Sequence, residues 1–273
     1  MSSISKFLTA LTFAFLLSVW QASAATTEWQ DLGGGKARLA AVLDPNTNEV
    51  EAIVEIKLDP GWKTYWREPG GSGIPPQFDF SASRHFFPGE VMFPIPQRLE
   101  ASGIVFPGYS GTVSFPFRGK MAKSGGEGAI RLNLLAGVCE DICIPATVEF
   151  EIQFSDLLTS DPASAMQIKE AFGTLPNEAK DDFKIIRAVK AAADRLEIEV
   201  KMPDAGPDAA LFAEGPYGWY LPPAKYESTE NGLTVFSQDI TDIPEGADPT
   251  GTKLRYTLVH GDRGIEQWVS AEK

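Results

Sequence analysis

Two stretches near the middle of the chain alternate apolar and polar residues around a short gap. Ile130, Leu132, Leu134 and Ala136 alternate with Arg131, Asn133 and Leu135. Val148, Phe150, Ile152 and Phe154 alternate with Thr147, Glu149, Glu151 and Gln153. A period of two places one face of a strand in a core, so the pair predicts a hairpin. Val50, Ala52, Val54, Ile56 and Leu58 alternate with Glu49, Glu51, Glu55 and Lys57, which predicts an earlier half-buried strand. Pro60-Gly61 turns the chain into Trp62-Lys63-Thr64-Tyr65-Trp66-Arg67, and a Gly/Pro-rich loop follows over 68–76. Phe93-Pro94-Ile95-Pro96 and Phe106-Pro107-Gly108-Tyr109 read as extended segments broken by proline. A second block repeats the strand pattern at Leu196, Ile198 and Val200, at 233–236, at Leu254, Tyr256 and Leu258, and at 265–269.

One helix is predicted between the blocks. Asp161-Pro162 suits an N-cap and first helical position. Ala165, Ile168 and Phe172 give an apolar face, and Gly173 suits a left-handed stop. A polar linker follows over 176–182. The chain therefore reads as all-β, with two immunoglobulin-like β-sandwich domains joined by a short helix and linker. The predicted divisions are 25–157, 158–184 and 185–273. The immunoglobulin-like reading rests on strand count, since the inter-sheet Cys and Trp pattern of antibody domains is missing.

The N-terminus follows a different rule. Lys6 precedes an apolar run over 7–17, and Ala22-Ser23-Ala24 is the small-x-small pattern of a cleavage site. Residues 1–24 read as a secretory signal peptide cut after Ala24. The run is shorter than the roughly 20 residues that span a bilayer. No later stretch is apolar enough, so the mature chain is expected to be exported without a membrane span.

Composition narrows the function classes. A net charge of −13 leaves no basic footprint for nucleic acid. Only two histidines are present, too few for a His-rich metal site, and they make a Ser-His-Asp hydrolase a thin reading. The glycine cluster at 70–73 lacks the Lys-Ser/Thr ending and following helix of a phosphate loop. No cofactor is expected.

The candidate chemistry is Cys139 and Cys143, the only two cysteines. In an oxidising compartment such a pair tends to form a disulfide. Closing so short a loop contributes about 2 kcal/mol of chain entropy, little for a domain of this size. Glu140 and Asp141 lie between the sulfurs, with no Lys, Arg or His within five residues. These acids disfavour the thiolate and should raise the cysteine pKa. Three readings stand at this point: a redox pair, a two-thiolate Cu(I) site, and a structural bridge in a non-catalytic binding protein.

A wider set of motifs then enters. Gly61-Trp62-Lys63-Thr64-Tyr65-Trp66, 69–76, Pro94-Ile95-Pro96, 108–113 and Cys139-Glu140-Asp141-Ile142-Cys143-Ile144-Pro145 occur in order. Together they resemble the N-terminal periplasmic domain of the DsbD family of thiol:disulfide interchange proteins. The resemblance lies nearest the branch that includes suppressor of copper sensitivity B. It implies a periplasmic module whose dithiol passes reducing equivalents to thioredoxin-like exported proteins. It puts the redox pair on Cys139 and Cys143, with Cys143 attacking the partner and Cys139 resolving. Tyr65 matches an aromatic neighbour of that pair, and Phe106 and Tyr109 are candidates for a shielding cap. The chain lacks the family's multi-span electron-carrying segment and its thioredoxin-like domain, so a separate membrane electron carrier would have to supply the electrons.

Overall fold

The computed structural model of the chain describes residues 23–71, 73–101, 103–122, 128–158, 161–202 and 206–273. Most of the predicted signal peptide lies outside the described residues.

Among the described residues, twelve strands build the first domain: β1 (Ser23–Thr26), β2 (Gln30–Asp31), β3 (Gly35–Asp44), β4 (Glu49–Leu58), β5 (Lys63–Tyr65), β6 (Gln77–Asp79), β7 (Phe86–Val91), β8 (Gln97–Ala101), β9 (Ile104–Ser110), β10 (Thr112–Met121), β11 (Ala129–Cys139) and β12 (Cys143–Gln153). One sheet runs β1-β3-β4-β10-β7, with β2 on β3. The other runs β12-β11-β5-β9-β8, with β6 on β11. Their inner faces meet in one core that includes Leu39, Val54, Phe115, Phe117, Leu132 and Leu134. This is a sandwich, as the alternation predicts. The cleavage expected after Ala24 falls inside β1, where Ala24 and Ala25 pair with Val42 and Ala41.

Alternation breaks down in β4, where Ala52 through Ile56 are all buried. The cause is the helix. α1 (Pro162–Phe172) lies on the outside of this sheet and packs Ile168 and Ala171 against Ala40 and Ile53. Glu55 is only 6% exposed there. It is satisfied by Arg38 at 2.6 Å and by the Gln167 amide at 2.7 Å. The helix is thus an outer layer of the first sandwich.

Both helix ends can be traced to residues. Asp161 caps the start, accepting from the backbone amides of Ala163 and Ser164 at 3.2 and 3.3 Å. The far end departs from the predicted stop. Gly173 sits at φ −73°, in the right-handed region, and the last carbonyls are closed by a tight turn through Thr174. The Thr174 hydroxyl donates to Ala171 O at 2.7 Å.

The cap gives a pH prediction. Hydrogen bonds from the Ser164 hydroxyl and amide hold the Asp161 carboxyl below its usual range. Its stabilisation is therefore present above the unfolded carboxylate pKa and lost as pH falls through the lower folded value. Asp161→Ala should cost about 1 kcal/mol at neutral pH. In denaturant titrations the gap between variant and parent should close in acid. A gap of equal size at both pH values would contradict the charged cap.

The second domain uses β13 (Asn177–Glu178), β14 (Lys184–Ala192), β15 (Arg195–Lys201), β16 (Ala210–Glu214), β17 (Lys225–Glu230), β18 (Leu233–Asp239), β19 (Lys253–His260) and β20 (Arg263–Glu272). A single sheet path, β16-β19-β20-β14-β15-β18-β17, folds over one core containing Ile198, Phe236, Leu254 and Tyr256. β13 pairs with β20 at Ile265 and Glu266, so residues of the predicted linker already belong to this sheet. Among the described residues no helix is long and apolar enough to cross a membrane.

Candidate functional site

β11 and β12 pair without a break from Ala129 and Gln153 up to Cys139 and Cys143, which face each other across the end of the hairpin. Their Cα atoms are 4.1 Å apart and the sulfurs are joined as a disulfide. Glu140, Asp141 and Ile142 form the exposed turn.

The two cysteines differ in access. Cys139 is 2% exposed. Cys143 is exposed, as the first residue of β12, the edge strand of its sheet. Cys139 is covered because β11 is flanked on its other side by β5, with Cys139 opposite Lys63 and Val138 opposite Thr64.

Strand register decides which side chains reach the sulfurs. Directly opposed residues share a face, and successive residues alternate. Thr64, Val138 and Tyr109 stand together in register and point into the sandwich core. Cys139, Tyr65 and Phe106 take the other face and form their own small cluster, with Leu99 and Ala101 against it. The Tyr65 and Phe106 ring centroids are 5.0 Å apart. Leu99 belongs there because it pairs with Phe106 across the β8–β9 hairpin. Phe106 therefore packs with Tyr65 and Cys139 on this face. The register places Tyr109 on the other face. Three residues along the same strand, its side chain faces the opposite way, packs on Phe115, and donates its hydroxyl to Pro94 O at 2.9 Å. Burial pushes that hydroxyl's pKa well above its ordinary value.

Tyr65 touches both sulfurs. Its hydroxyl oxygen lies 2.9 Å from Cys143 Sγ and 3.2 Å from Cys139 Sγ. Disulfide sulfurs carry no proton, so the hydroxyl is the donor. Burial raises the Tyr65 pKa, which keeps the proton in place. Two glycines let the ring sit there. A Cβ on Gly73 would stand 2.9 Å from one ring edge, and a Cβ on Gly137 would stand 3.2 Å from the other and 2.8 Å from Ile74 O.

Sequence distance hid one cation. Lys63 stands opposite Cys139 although the two are far apart in the chain, and its Nζ donates to Gly61 O at 3.1 Å. Only register reveals it. Leu99 and Ala101 were also missed, though they alternate with Arg98 and Glu100 just before the Ser102-Gly103 turn signal. Among the described residues no group of three or more His, Cys, Asp or Glu is placed to hold a metal.

The fold and site define a β-sandwich that presents a disulfide at the end of a hairpin, one cysteine buried and one exposed. Residues 36–155 match the family described as thiol:disulfide interchange protein DsbD, N-terminal. That segment, which contains both cysteines, belongs to the DsbD N-terminal domain family. Among solved structures, the chain is similar to the N-terminal periplasmic domain of ScsB from Proteus mirabilis, with a TM-score of 0.75 and 21% identity. The match covers 92% of this chain and 100% of that one, so the likeness in fold runs through both sandwiches. No curated protein matches the chain.

Proposed function

We propose that the protein is a periplasmic thiol-disulfide interchange module that delivers two electrons to disulfides of thioredoxin-like exported proteins. One observation carries the assignment of roles: Cys143 is exposed at the hairpin end while Cys139 is buried beneath Tyr65 and Phe106.

The exchange follows from that asymmetry. In the reduced protein the Cys143 thiolate attacks one sulfur of the partner's disulfide. A mixed disulfide forms, and the partner's other sulfur leaves as a thiolate and takes a proton. Cys139, deprotonated, then attacks Cys143 Sγ. The second partner sulfur leaves and is protonated, and Cys139 and Cys143 end joined. Two electrons and two protons have passed to the partner. A separate membrane electron carrier, acting through a dithiol, restores the reduced pair.

The test is the midpoint potential of the pair. A structural disulfide has a potential below about −300 mV, whereas an exchanging one lies higher. The value expected for Cys139–Cys143, measured against glutathione, is above that limit. A potential below it would assign the bridge to structure alone.

A further inference from the structure

After Tyr65 the chain reaches the second sandwich within two residues. Trp66 is fully buried, with its ring centroid 6.0 Å from that of Phe212 on β16. Arg67 follows. Its Nε donates to Glu214 Oε2 at 2.5 Å, and a terminal guanidinium nitrogen pairs with Glu266. Glu214 ends β16 and Glu266 lies on β20, so both carboxylates come from the second domain. The guanidinium also stacks 4.3 Å above the Trp66 ring. Burial alone would lower the Arg67 pKa, but the two carboxylates outweigh it and the charge is held. A planar cation fixed by two carboxylates and an aromatic face has little freedom, and lysine could not reproduce the geometry.

The chain then loops back to the pair. Gly73 closes on one edge of the Tyr65 ring. Ile74 O accepts from the amide of Gly137, two residues before Cys139, at 3.3 Å. The loop is thus anchored at one end by the second sandwich and at the other by the strand that carries Cys139. Tyr65, the last residue of β5, stands two residues before the first anchor, and its ring edge is met by Gly73 at the second.

We propose that the second sandwich is a clamp on the redox pair and that Arg67 is its positioning residue. Gripped by Glu214 and Glu266, Arg67 fixes the loop that holds the Tyr65 hydroxyl against the sulfurs of Cys139 and Cys143. The inference rests on the redox reading of the pair given above. Arg67 acts only through Tyr65, which donates to the oxidised pair and so favours the disulfide.

The experiment is a double-mutant cycle on the full chain, read as the equilibrium constant for reduction by glutathione. Tyr65→Phe should shift that constant toward the dithiol by about two- to tenfold, the worth of one hydrogen bond. Arg67→Met should shift it in the same direction. The double variant should move no further than Tyr65→Phe alone, because the clamp has nothing left to position. Loss of an ion pair that merely joins two domains would lower the melting temperature without moving the constant. That outcome, or shifts that add in full, would overturn the proposal. Glu214→Gln with Glu266→Gln changes only the second domain and should reproduce the Arg67→Met shift. If Arg67→Met does not fold, this pair decides, and an unmoved constant overturns the clamp. Glutathione equilibrates with any accessible dithiol, so the result is independent of whether a protein partner exists. A coupled cycle without any partner would reject the relay and keep the clamp, and additive shifts beside a trapped partner would do the reverse.

Discussion

Cys139→Ala is expected to accumulate a covalent complex with a thioredoxin-like exported protein, and Cys143→Ala is not. Cys143 is open to a partner while Cys139 lies under Tyr65 and Phe106. With Cys139 gone, a mixed disulfide at Cys143 has no internal thiol to resolve it. With Cys143 gone, the remaining cysteine is a residue only 2% exposed, and few partner disulfides reach its sulfur. The yield of trapped complex on non-reducing gels should differ by at least about tenfold, since direct attack needs an accessible thiolate. Equal trapping by both variants would remove the assigned order of attack. A two-thiolate Cu(I) site predicts something else, equal loss of copper binding in both variants and no trapped protein. A pair that stays oxidised in cells, with neither variant trapping, would leave the structural bridge standing.

The largest stability effect is expected at Trp66→Ala. Trp66 has no exposed surface and packs in the core that the first sandwich shares with Phe212 of the second. Removing a buried indole forfeits its transfer free energy and leaves a cavity the rigid sheets on either side cannot close. The loss should be about 3–5 kcal/mol, read as a lower denaturant midpoint. Tyr217→Ala is the control. Tyr217 is fully exposed on the second domain, so its change should stay within about 0.5 kcal/mol. A Trp66→Ala cost as small as the control's would show that the domains do not share a core there.

The strands were legible because alternation is enforced wherever one face meets a core, as at β11 and β12. β4 was harder. Its outer face is covered by α1, and no local pattern announces a helix arriving from more than a hundred residues away. The same limit applied to the site. Cys139 and Cys143 are near in sequence and a hairpin joins them, so the pair could be found. Tyr65 and Phe106 entered through a motif resemblance, and Tyr109 came with them. Only the register of β5 and β9 separates these aromatics, turning Phe106 to the sulfurs and Tyr109 to the core. Lys63 opposite Cys139 and Arg67 between the two sandwiches had no sequence signal, because each depends on contacts made by distant strands.

The shortness of the hairpin has an energetic consequence for the electrons it carries. Folding and disulfide formation close a thermodynamic cycle. Whatever the bridge adds to the stability of the fold, the fold returns as resistance of the bridge to reduction. Four residues of separation limit that exchange to about 2 kcal/mol on chain entropy, or about 40 mV for a two-electron couple. A bridge closing a hundred-residue loop would be held down by about 100 mV on the same reckoning. The sheet already aligns Cys139 with Cys143, so oxidation and reduction need no change of register.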